Sequence, residues 1–120
     1  MKYDWIDKYC LDMKGAAKEV KPEWNATLYK LKDKMFALLG CNKAGKPIIT
    51  LKLEPMFGEF LRTEYQDITP GYYMNKLHWN SLDLAGDVPD EVVKDMLDRS
   101  YGLIYHGLSK RLQQEIAADS

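Results

Sequence analysis

The run Gly40-Cys41-Asn42-Lys43-Ala44-Gly45-Lys46-Pro47 satisfies GxxxxGK, the opening of a phosphate-cradling P-loop. That chemistry also needs a hydroxyl after the lysine to hold magnesium, and a helix whose amino terminus faces the phosphates. Pro47 stands where the hydroxyl should be and a strand-like run follows, so the segment reads as a hairpin turn. His78 and His106 fall in different elements, and no short-spaced cysteines or carboxylates surround either one, which argues against a metal site. Nothing resembles a nucleophile elbow. The carboxylates Asp83, Asp87, Asp90 and Glu91 suit turn and helix-start positions. The residues therefore predict no enzyme, no cofactor and no metal.

The lysines give a stronger lead. Lys30, Lys32, Lys34 and Lys52 are expected on the outer face of a sheet, with Lys43 and Lys46 at a hairpin tip and Lys76 opening a later strand. Basic hairpins of this kind can grip a phosphate backbone. The same lysines equally describe a solvated sheet face and an edge guarded against aggregation.

The segment Asn75 to Glu91, "NKLHWNSLDLAGDVPDE", adds polar and aromatic groups. In a regular strand Leu77 and Trp79 share one face, while His78, Asn80, Leu82 and Leu84 share the other. Both apolar sets reach one core only if the register shifts. A bulge near Asn80-Ser81 is therefore expected to bury Trp79 and turn His78 and Asn80 outward beside Lys76. Without a bulge, Trp79 is exposed and free to stack on a base or a partner. Ser100 lies within an apolar helical stripe, where its hydroxyl either bonds back to its own helix or serves a ligand.

The elements that position these groups follow from periodicity. Trp5, Ile6, Tyr9, Cys10 and Met13 form a helical stripe that closes at Gly15. "NATLYKLKDK" (25–34) alternates as a half-buried strand, and "MFALL" (35–39) is apolar on both parities, as in a strand covered on both sides. "IITLKLE" (48–54) alternates cleanly. Pro55 opens a helix with Phe57, Phe60, Leu61 and Tyr65 on its apolar face. "ITPGYY" (68–73) reads as a loop and 72–84 as one or two strands. Pro89 opens a last helix, bent or broken at His106-Gly107. The expected class is α+β in two layers, an antiparallel five-stranded sheet with helices in the order αβββαββα.

A chain of 120 residues bounds this to one domain, residues 1–120. Seventeen basic against eighteen acidic residues give a net charge of -1, so any nucleic-acid surface must be local. Apolar runs are too short to span a membrane. Cys10 and Cys41 lie far apart and form no CxxC pair. With no secretory leader, they are expected as reduced thiols of a cytoplasmic protein.

The chain resembles the MmcQ/YjbR family of small bacterial proteins. The likeness rests on "DKMFALL" (33–39), "ITLKLEP" (49–55), "LRTEYQDITPGYYMNKLHWNSLDL" (61–84) and "VPDEVVKDMLDRSYGLI" (88–104), within about residues 5–112. The resemblance implies an αβββαββα domain like that of type III secretion chaperones, with a CyaY-like appearance. It also implies a double-wing motif inferred to bind DNA. Carried onto this sequence, that places weight on the hairpin around Lys43 and Lys46, and on Lys76, His78, Trp79 and Asn80; Lys52 joins the nucleic-acid-binding candidates through the lysine pattern. The expectation is a DNA-binding protein without catalysis. The alternative is a protein-interaction or chaperone-like module using the open sheet face or the last helix, with a protein partner in place of DNA.

Overall fold

A computed structural model describes residues 2–71 and 75–118. The chain runs α1 (Ile6–Leu11), β1 (Ala16–Lys21), β2 (Ala26–Leu31), β3 (Lys34–Cys41) and β4 (Pro47–Lys52). It continues through α2 (Pro55–Glu64), β5 (Ile68–Pro70), β6 (Trp79–Asp83), α3 (Asp90–Gly107) and α4 (Lys110–Ala118). The class is the expected α+β. The sheet has six antiparallel strands rather than five, in the order β1-β2-β3-β4-β6-β5.

The additional strand is β1. Its sequence AAKEVK carries a single large apolar side chain, Val20, and that one is exposed, so no inward stripe marks it. β5 occupies part of the expected loop, and the expected strand at 72–84 begins at Trp79. The portion of that expectation on residues 72–74 lies outside the described residues. The last helix does break, between α3 and α4, where Leu108 takes an extended conformation.

Register divides the sheet into two faces. Tyr29, Ala37, Leu51 and Asn80 stand in one row, and Ile49, Leu82 and Ile68 in the next, all on the core side. Each helix packs against this side. Tyr29 Oη donates to Asp7 of α1 at 2.7 Å, Gly58 of α2 lies on the Asn80 side chain, and Tyr101 of α3 meets the Phe36 ring edge-on. On α4, Ile116 closes on Gly15 beside Leu31. The other face bears no helix among the described residues. One row crosses it from Glu19 through Leu28, Leu38, Thr50 and Ser81 to Thr69.

A register shift is present, but in β3 and not in β6. Tyr29 opposes Ala37 while Lys30 opposes Met35, so Phe36 is the extra residue. Such a bulge leaves two residues facing one and breaks the alternation. Phe36 and Ala37 are consequently both buried on the core side. The apolar run at 35–39 thus reflects a bulge, not a strand covered on both faces. Ser100 completes the irregularity. Its hydroxyl donates to the Phe36 carbonyl at 2.6 Å and accepts the Lys52 N–H at 2.9 Å. It does not bond back to its own helix; it joins α3 to β3 and β4 just past the last paired residues, Ala37 and Leu51.

Candidate nucleic-acid interface

Strand connectivity sends two hairpins from the same end of the sheet. Residues 22–25 join β1 to β2, and residues 42–46 join β3 to β4. Because Thr27 opposes Leu39, Asn25 comes beside Cys41, and its Nδ2 lies 3.8 Å from the Sγ. Both tips are locally determined. Asn42 Oδ1 accepts the N–H groups of Ala44 and Lys46 at 2.9 and 3.0 Å, and Gly45 takes φ +78°. That φ suits glycine at no steric cost. The GxxxxGK segment is therefore a hairpin turn, as its sequence indicated. In the neighbouring tip Pro22 opens one helical turn, Asn25 adopts φ 51°, and its N–H donates to the Pro22 carbonyl at 3.0 Å.

These tips display Lys43 and Lys46 on one hairpin and Trp24 on the other, all exposed. Lys21 Nζ stands 5.3 Å from the centroid of the Trp24 ring and 3.0 Å from Glu19 Oε2. Sequence reasoning missed Trp24 and Lys21. A proline closing the short run AAKEVK, followed by an aromatic and an asparagine, was the available signal of a presented side chain. A cleft of about 400 Å³ opens beside the tips, between Val20, Pro22, Leu39, Pro47 and Leu84. Asp4 and Asp7 line its α1 side, so it does not suit a phosphate. Asp7 is held below the usual carboxylate range, first by its bond to Lys18 and then by Tyr29.

The remaining candidates lie elsewhere. Lys52 ends β4, and from Lys46 to Lys52 the chain rises about 20 Å at roughly 3.3 Å per residue. Lys76, His78, Trp79 and Asn80 belong to that far end, so the candidate set is two groups and not one site.

Within the far group, Asn80 departs furthest from expectation. β6 pairs regularly with β4, which sets Asn80 with Leu82 on the core side and Trp79 with Ser81 and Asp83 on the other. Asn80 is fully buried and faces away from any nucleic acid. Its Oδ1 accepts the Arg62 guanidinium of α2, and its Nδ2 donates to the His78 carbonyl at 3.2 Å. The parity conflict is resolved because Leu77 lies outside the strand, exposed in a turn. Trp79 is half-buried on the helix-free face opposite Lys52, neither in the core nor fully free. His78 is half-buried in the turn, and its carbonyl also accepts Leu53 N–H at 2.8 Å. Lys76 is exposed.

The expected lysine row is also revised. Lys30 does lie on the helix-free face, yet it pairs with Glu19 at 3.0 Å. Lys32, in a turn at φ 56°, reaches the helix side and pairs with Glu115 at 2.9 Å. Lys34 opposes Leu31 at the core-side parity. The helix-free face is therefore mixed, with Leu28, Leu38, Ile48 and Trp79 between charged groups.

No group of three histidine, cysteine or carboxylate side chains suited to a metal occurs among the described residues, and no helix there is long and apolar enough to cross a membrane. Burial, with Asp7 nearby, pushes the Cys10 thiol up to about 12, while Cys41 is exposed.

A family model described as YjbR matches residues 11–103. The chain belongs to the YjbR family. Over 94 residues it is 34% identical to the uncharacterized protein YjbR of Escherichia coli K12, covering 78% of this chain and 79% of that one. Over 95 residues it is 33% identical to the uncharacterized protein YbdF of Escherichia coli O157:H7, covering 79% and 75%. A crystal structure of Deinococcus radiodurans protein DR2400, with domain DUF419, superposes with a TM-score of 0.84 at 29% identity, over 95% of this chain and 86% of that one. A crystal structure from Pseudomonas syringae has a TM-score of 0.73 at 23% identity, over 87% and 99%, and shares the fold. None of these names assigns a reaction.

Proposed function

We propose that the protein binds DNA without catalysis, through the paired hairpin tips at 22–25 and 42–46. The observation that carries this reading is the convergence of Lys43, Lys46, Lys21 and an exposed Trp24 at one end of the sheet. Two short turns rooted in adjacent strands keep the backbones that carry these lysines close together, which lowers the ordering cost of gripping a phosphate backbone. The net charge of -1 makes the interaction local, so it weakens steeply with salt and owes little to long-range steering.

Fluorescence anisotropy of labelled DNA at low salt tests the proposal. The double variant Lys43→Glu/Lys46→Glu should abolish binding, whereas Lys76→Glu, at the far end, should leave it close to wild type. Each phosphate that a variant no longer neutralises lowers the slope of log K against log salt by about 0.9 on duplex DNA. Wild-type protein that binds no DNA, or a double variant that binds unchanged, rejects the proposal.

One observation favours a second reading. The helix-free face carries the half-buried Leu38 and Trp79 between Glu19, Lys30 and Lys52, a mixture closer to a protein-binding surface than to a phosphate channel. A protein partner seated there would protect β3 and β4 amides from hydrogen exchange and leave the hairpin tips unchanged.

A further inference from the structure

Trp24 is 63% exposed, at a hairpin tip where an indole contributes nothing to the core. Its backbone is fixed by Pro22, by the left-handed Asn25 and by the Asn25 N–H bond to Pro22, so the ring is presented on a turn of defined shape. Lys21 Nζ lies over the ring, 5.3 Å from its centroid. A cation on one side of an indole leaves the opposite π-face for another flat group.

We propose that the hairpin end takes single-stranded nucleic acid, with Trp24 stacking on an unpaired base while Lys43 and Lys46 follow the backbone. This rests on the nucleic-acid reading above and narrows it. In a duplex the base faces are already stacked on one another, so a protruding indole meets base edges, sugars and phosphates but no free π-face. A free base presents its π-face, and base-aromatic stacking together with a positive backbone track is how single strands are held without sequence preference. The two tips suit that division of work. They leave adjacent strands roughly 4.8 Å apart, so the two tips themselves stand within the span of a few nucleotides. A phosphate-only site has no use for Trp24. Lys21 and Glu23 immediately flank this ring, and the apolar cleft beside Val20, Pro22 and Leu39 is a separate feature that the stacking does not use.

The test compares a labelled oligothymidine with a duplex of equal length at low salt, reading anisotropy and intrinsic tryptophan fluorescence. The single strand should bind more tightly and quench the fluorescence. Trp24→Ala should weaken single-strand binding about 5- to 150-fold, the range for losing one stacked base. Trp24→Phe should retain most of the affinity while losing most of the quenching, with Trp5 and Trp79 as the remaining emitters. Because Trp24 lies outside the core, circular dichroism and the unfolding midpoint should be unchanged in both variants. Trp24→Ala that binds oligothymidine like wild type overturns the stacking proposal, as does equal affinity for duplex. In either case a continuing dependence on Lys43 and Lys46 leaves the nucleic-acid reading standing. Absence of binding to either nucleic acid overturns both.

Discussion

Replacing Ser100 by alanine removes one hydroxyl and strands two backbone groups. The hydroxyl donates to the Phe36 carbonyl at 2.6 Å and accepts the Lys52 N–H at 2.9 Å, and Ser100 itself is fully buried. Alanine fits the space but offers neither bond. An orphaned buried donor or acceptor costs about 1–3 kcal/mol. Two such groups bracket a loss of about 2–6 kcal/mol. Alanine returns at most about 0.7 kcal/mol through its better helix propensity. The Lys52 N–H is only part-buried, so water recovers some of its bond. A net loss of about 2–4 kcal/mol results. For a domain of this size that lowers Tm by roughly 8–16 °C, taking about 4 °C per kcal/mol. Urea unfolding followed by circular dichroism should show the midpoint falling by about 1–2 M, for an m-value near 2 kcal/mol/M. The loss should be structural alone, since the hairpin tips lie at the other end of β4. A Ser100→Ala variant within about 0.5 kcal/mol of wild type would refute the bridging role, placing the site among ordinary surface positions.

Two further outcomes follow from the buried and paired side chains. Asn80→Leu should destabilise by about 1–3 kcal/mol, because it leaves the Arg62 guanidinium without its Asn80 acceptor and removes one of the two bonds to the His78 carbonyl. DNA affinity, measured per folded molecule, should not change, and a specific loss would return Asn80 to the binding surface. Asp7, Glu19, Asp87 and Glu115 all have folded pKa values lowered, chiefly by bonds to Lys18, Lys21, Lys2 and Lys32 respectively. Their contribution is complete above the ordinary carboxylate pKa and is lost as pH falls through the lower folded values. Asp7→Asn should therefore narrow the gap in urea midpoint between neutral pH and about pH 2.5. An unchanged gap would show that the Lys18 and Tyr29 bonds add nothing.

Much of this architecture was legible in the sequence. β4, α2, α3 and the turn at 42–46 follow from clean alternation, helical stripes and proline positions, because in each a local rule agrees with the tertiary contacts. Where two local solutions existed, the sequence could not choose. At 77–84 a bulge or an exposed Leu77 could each reconcile the apolar parities, and at 35–39 a strand covered on both faces or a bulge could each explain the apolar run; nothing local chooses within either pair. The pairing of β3 with β2 puts the bulge at Phe36, and Ser100 of α3 bonds the carbonyl there. β1 escaped because an edge strand with one apolar side chain has no period to read. The lysines misled for a related reason. Alternation assumes straight strands, whereas Lys32 sits at positive φ in a turn and points toward α4. Of the candidate site, Lys43 and Lys46 could be placed at a tip from sequence. Their neighbour Trp24 could not, because strand order is a property of the sheet and not of any segment.

The row that crosses the helix-free face has a polarity. From the β5 edge inward it begins with three hydroxyls, Thr69, Ser81 and Thr50, the last two joined at 2.9 Å. It continues with two leucines, Leu38 and Leu28, and ends on the carboxylate of Glu19, bracketed by Lys21 and Lys30. Ser81, Thr50 and Leu28 are themselves buried among their neighbours, so this order belongs to the packing of the sheet. The sheet is thus graded across its width, from hydroxyl through hydrocarbon to charge, in a direction fixed by the order in which the strands pair.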